Sequence, residues 1–206
     1  MFKLNRLSKR MIILLAAVSA LGPVGMQILF PALPVIKQMF YVTNDVAQLT
    51  LSLSMLAIAI GTLVYGPLSD KFGRKRVMLV GIVITIFGSI VCFVADSIML
   101  LISGRFIQAF GGAVGLVLAR AIVRDVYGPE EAARVIATLV MVMVVLPMMS
   151  PALGGELMQR FGFESVFIVI AFASAIAFVF LFLWLPETLA NPVPVSYTHL
   201  RAHETV

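Results

Sequence analysis

Arg105 and Gln108 stand one helical turn apart inside a run, 99–122, that is otherwise almost entirely apolar. Inserting a charged side chain near the middle of such a run costs about 2.5–3.5 kcal/mol. Arg105 therefore either faces a cavity or a partner, or snorkels out to the headgroups. Residues three apart share a helix face, which puts Gln108 beside the guanidinium. In the first apolar run Ser19, Pro23 and Gln27 recur at four-residue spacing on one face. Gln27 hydrogen-bonds but does not titrate. No acid lies deep in any apolar run: Asp45 and Asp96 sit at run ends and Glu156 sits near one. These residue types offer polar recognition in an apolar setting rather than covalent chemistry. With no nucleophile–base pair or metal cluster legible, neither an enzyme nor a cofactor is expected. The single cysteine, Cys92, excludes an internal disulfide and a thiol metal site.

A second cluster is the charged knot Gly66-Pro67-Leu68-Ser69-Asp70-Lys71-Phe72-Gly73-Arg74-Lys75-Arg76, between apolar runs 46–65 and 77–95. Each run is about 20 residues, enough for a hydrocarbon core of roughly 30 Å. The knot reads as a short loop between two membrane helices. Asp70 and Arg74 lie four residues apart near the helix ends, where a plain turn that caps helices would also use them. Gly111-x-x-x-Gly115 offers a small-residue face for close helix contact. It is not a dinucleotide loop, because no strand precedes it and no acid follows at the required distance. Arg120 and Arg124, one turn apart, suit lipid phosphates, neighbouring helix ends or an interfacial anchor. Pro147 and Pro151 remove backbone donors and bend their run, and Gly154 and Gly155 permit tight packing.

The elements that position these residues follow from composition. The 206 residues are 61% hydrophobic and 12% charged, against roughly 25% charged in soluble domains. Lipid is thus the expected solvent. The net charge of +5 comes from short basic clusters between apolar spans, a topology pattern rather than a nucleic-acid groove. Six spans are drawn at about 11–33, 46–67, 77–95, 99–122, 134–157 and 163–185. None alternates like a barrel strand, so an all-α membrane protein is expected. The basic segment 1–10 precedes a first span too long for a signal peptide, and that span is expected to be retained. With the N-terminus inside, Lys3, Arg6, Lys9, Arg10, Lys71, Arg74, Lys75, Arg76, Arg120, Arg124 and Arg134 are cytoplasmic, and only Lys37 and Arg160 lie outside. The expected organisation is a basic N-terminus over 1–10, a six-helix unit over 11–190, and a non-native or linker tail over 191–206. Its last stretch, Val195 to Val206, resembles translated adapter sequence. His199 and His203 within it are not read as a metal pair.

The spacing Gly66-x-x-x-Asp70-Lys71-x-Gly73-Arg74-Lys75 resembles the loop signature of the major facilitator superfamily. Arg105, Gln108 and Gly111 resemble its fourth-helix pattern. The Arg120–Tyr127 string, Pro31-Ala32-Leu33-Pro34, the Pro147–Gly155 stretch and Leu185-Pro186-Glu187-Thr188-Leu189 are similar to the Bcr/CflA drug-exporter branch. Two positions depart from it: Gln27 stands where many members have aspartate, and Ser150 where many have glycine. The resemblance implies the N-terminal half of a twelve-helix transporter in the bacterial inner membrane. It implies export of drug-like or other small amphipathic compounds by proton antiport and alternating access. Arg105 is then implicated in proton coupling, with Gln108 and Gln27 in the substrate cavity. Gly66, Asp70, Lys71, Gly73, Arg74 and Lys75 form a cytoplasmic gate, where Asp70 latches onto a C-terminal six-helix half. A facilitator, an uptake carrier or an inactive fragment are the alternatives.

Overall fold

The computed structural model describes residues 7–189. Most of the basic N-terminus, residues 1–6, and the tail from residue 190, with both histidines, lie outside the described residues. The described chain is helical: α1 (Lys9–Gln27), a 3-10 turn (Phe30–Ala32), α2 (Leu33–Met39), α3 (Asn44–Phe72), α4 (Arg74–Phe93), α5 (Ile98–Val126), α6 (Pro129–Phe161) and α7 (Ser165–Trp184). Counting α1 to α2 as one broken span, six segments are long and apolar enough to cross a membrane. Each of the six expected spans has its helix, with ends displaced by a few residues.

Local chemistry sets several of these ends. Ser8 Oγ accepts from the Met11 backbone N–H at 3.3 Å and starts α1, as an N-cap does. Pro31 and Pro34 lack a donor and disfavour helical geometry in the residue before them, so the first span breaks into a 3-10 turn and a short helix.

The knot at 66–76 is not the loop that was expected. α3 runs through Gly66, Pro67 and Asp70 to Phe72, and α4 begins at Arg74. Gly73 alone breaks the helix, at φ 97°, a region that L side chains avoid. The reason is physical. Hydropathy marks where the chain leaves hydrocarbon, whereas a helix bonds its own backbone and continues into water. At 29 residues and about 1.5 Å per residue, α3 exceeds a core of roughly 30 Å.

α6 accommodates both expected bend points, Pro147 and Pro151, in one continuous helix. Pro151 has no N–H to bond the carbonyl four residues back, that of Pro147. The Ser150 hydroxyl donates to that carbonyl instead, at 2.8 Å, and Ser150 is buried.

α5 is the hub and packs on α1, α3, α4 and α6, while α4 also packs on α7 and α1 on α6. Two apolar clusters form the core. One, at the basic end, holds Leu15, Met78, Leu118, Ile122, Leu139 and Leu181. The other holds Leu29, Ile36, Leu101, Phe163 and Phe167. Between them lie the buried polar residues Ser19, Thr85, Ser89, Arg105, Gln108 and Ser174.

Candidate functional site

Arg105 sits two turns into α5 and is 1% exposed, so it does not snorkel. One Nη1–H donates to Gln108 Oε1 on the next turn. Gln108 Nε2 donates to Ser89 Oγ at 2.7 Å, and Ser89 Oγ donates to the Thr85 carbonyl at 2.8 Å. This relay carries the guanidinium's orientation from α5 to the backbone of α4. Nε and Nη2 of Arg105 have no partner. They belong to a side chain lining a cavity bordered by Gly22 and Met26 of α1, Thr85 of α4, Gln108 of α5 and Ile170 of α7. The cavity is small, about 10 Å³, with room for about one water.

No carboxylate pairs with Arg105 among the described residues. A buried cation left without a counter-charge is costly, and the fold retains one here. Gln27, the last residue of α1, is half-buried and is not among the residues lining this cavity. Sequence reasoning missed Ser89 and Thr85. Gly81, Thr85 and Ser89 recur every four residues on one face of an apolar helix, and that small, polar stripe was the available signal.

The second centre lies at the basic end. Arg74 is the first residue of α4, and its side chain is 11% exposed. It pairs with Asp70 of α3 at 2.6 Å and with Asp125 of α5 at 2.9 Å, and it donates to Ser69 Oγ at 2.5 Å. One guanidinium thus ties three helices, with the planar multi-donor geometry that suits arginine. Glu187, just past α7, accepts from the Arg74 backbone N–H at 2.8 Å, and its Oε1 also accepts from Thr188 N at 3.1 Å. An anionic acceptor at a helix N-terminus satisfies an orphan donor and opposes the helix dipole.

Gly73 therefore meets two demands. Its φ is positive, and a Cβ there would lie 2.5 Å from Glu187 Oε2. Lys75 Nζ donates to the Phe182 carbonyl of α7 at 2.9 Å. Lys71 is exposed and lies 5.3 Å from the Phe72 ring centroid. Gly66 faces open space. Asp125 and Glu187 were not singled out from sequence as members of this cluster. Their partners are 51 and 113 residues away, and no local spacing reveals them.

The remaining glycines serve different neighbours. Gly111 and Gly115 were read as one face but meet two helices. A Cβ at Gly111 would collide with Thr85 N and Gly81 O of α4, and one at Gly115 with the Val18 carbonyl of α1. Gly154 of α6 abuts the Ile28 carbonyl, whereas a Cβ at Gly155 would meet nothing within 4 Å.

A six-helix membrane bundle with a buried polar layer at mid-depth and a charged hinge at one end is the build of half a secondary transporter. The model of the Major Facilitator Superfamily matches residues 15–200, and the chain belongs to that family. It is 32% identical over 178 residues to the uncharacterized MFS-type transporter YdgK of Bacillus subtilis, covering 85% of this chain and 44% of the relative. It is 30% identical to the bicyclomycin resistance protein homolog of Haemophilus influenzae, covering 86% and 44%. The fold matches the human organic anion transporter MFSD10 with a TM-score of 0.73 at 21% identity, over 90% of this chain and 50% of that one. The chain thus spans less than half the length of these curated relatives.

Proposed function

We propose that this chain is the N-terminal six-helix half of a drug exporter in the bacterial inner membrane, with its N-terminus in the cytoplasm. A second six-helix half completes the substrate cleft. Small amphipathic, drug-like compounds leave by alternating access as protons enter. The names of the relatives support the substrate class, and the basic residues gathered at one end support the orientation.

The observation that carries the reading is the buried Arg105–Gln108–Ser89 relay beside a water-sized cavity. A fixed cation with unshared N–H groups in low dielectric responds strongly to any charge that enters nearby. The group that takes up and releases the proton comes from the second half or from the substrate, since no acid lines this cavity, and it acts on a preoriented guanidinium while Gln27 contributes hydrogen bonds without a proton. At the hinge, Arg74 holds Asp70 within this half. Exchange of that carboxylate onto the other half supplies the latch of the cycle.

The test is proton-driven export by the completed transporter in a pump-deficient bacterium, followed by accumulation of a fluorescent drug. Arg105→Ala is expected to abolish export while membrane insertion persists, since alanine inserts more readily than arginine. Normal export by that variant overturns the coupling role. The bare 206-residue chain is expected to export nothing, and energy-dependent efflux by it overturns the need for a second half.

A further inference from the structure

Three features stand outside the machinery above: the lone buried Cys92, the exposed apolar face of α6, and an arginine-lined groove between α3 and α5. The groove carries an inference. It is open, about 420 Å³ in volume, and lined by Thr62 of α3 and by Leu116, Val117, Arg120, Ala121 and Arg124 of α5. Arg120 is half-buried, and its one hydrogen bond is from Nη2 to the Met143 sulfur at 3.6 Å, a weak acceptor. Among the described residues neither Arg120 nor Arg124 has a carboxylate partner, because the nearby Asp125 is held by Arg74.

The order along α5 gives the groove a polarity. Arg124 and Arg120 lie two and six residues before the helix end at Val126, about 3 and 9 Å along the axis. Leu116 lies about 15 Å in. The cations therefore stand at the mouth, with apolar walls beneath them and the Thr62 hydroxyl on the facing helix. Deeper still the embedded charge is again a cation, Arg105, while the acids of the described spans, Asp45, Asp70, Asp125, Glu130, Glu131 and Glu156, stand at or near helix ends. An amphiphilic cation finds no carboxylate among the residues that line this groove, while an amphiphilic anion finds two guanidinium groups without a carboxylate partner at its entrance.

We propose that this groove binds the anionic head of a small amphipathic substrate, a carboxylate, sulfonate or phosphate on an apolar body, at the basic end of the bundle. The proposal deepens the transport reading and rests on it for its biological meaning, but it is tested by binding alone.

The probe is anilinonaphthalene sulfonate, with neutral phenylnaphthylamine as the matched body lacking the charge. Saturable fluorescence of the 206-residue chain in nanodiscs of zwitterionic lipid is measured above that of empty nanodiscs. The sulfonate is expected to bind more tightly than the neutral amine, and to weaken as salt approaches about 1 M. The double variant Arg120→Gln, Arg124→Gln is expected to lose roughly tenfold in sulfonate affinity with the amine unchanged. The lysine pair Arg120→Lys, Arg124→Lys, which keeps the charge, is expected to retain most of it. Equal sulfonate binding by the glutamine pair overturns the proposal. So does an equal loss for both probes, or displacement of the sulfonate by phosphatidylglycerol in the nanodisc, which makes the groove a lipid site. Failure of the complete transporter to export any drug, with sulfonate binding intact, sinks the transport reading and leaves the site standing.

Discussion

The Glu187 carboxylate accepts the backbone N–H of Arg74 at 2.8 Å and so joins the chain just past α7 to the first turn of α4. The same arginine's side chain reaches Asp70 and Asp125. Backbone and side chain of one residue thus tie α3, α4, α5 and the exit of α7 at a single point.

Removing that cap has a measurable cost. Glu187→Ala is expected to lose about 0.5–1 kcal/mol of helix-start stability and to speed hydrogen exchange at the Arg74 amide. Glu187→Gln keeps an acceptor and is expected to fall between the two. Exchange unchanged in the alanine variant would show that the cap holds nothing.

Gly73→Ala is expected to act twice, through a strained positive φ and through collision with Glu187 Oε2. The strain alone is about 1–3 kcal/mol. In a double-mutant cycle with Glu187→Ala the two changes are expected to be less than additive, because truncating Glu187 removes the collision. Full additivity in thermal unfolding would place the whole effect of Gly73 in its backbone angle.

Ser150→Ala strips the buried Pro147 carbonyl of its donor. The expected loss is about 1–3 kcal/mol, the cost of a buried unsatisfied group. Ser150→Thr, which keeps the hydroxyl, is expected to recover most of it. A melting temperature unchanged by the alanine substitution contradicts the assigned bond.

The orientation is open to cysteine labelling, because the native thiol, Cys92, is buried. An impermeant reagent applied to intact cells is expected to reach Asn44→Cys and Arg160→Cys and to spare Lys75→Cys. Strong labelling at position 75 from outside would invert the topology.

Much of this protein is decided by composition alone. Runs of about 20 apolar residues leave the backbone one economical way to hydrogen-bond in lipid, so the six spans are legible before any contact is known. Arg105 and Gln108 are legible for the same reason, since a charge and an amide one turn apart inside such a run stand out against it.

The tertiary structure decides what those residues touch. That Gln108 passes the guanidinium's bond on to Ser89, that Arg74 takes up Asp125, and that Glu187 caps α4 all depend on which helices lie side by side. Helix adjacency comes from small residues meeting backbones across interfaces, as Gly111 meets α4 and Gly115 meets α1. Hydropathy is blind to that, because it measures transfer into lipid and is nearly the same for any order of packing. The reach of α3 through the charged knot escaped it equally, because a helix ends where its backbone bonding ends and not where the hydrocarbon does.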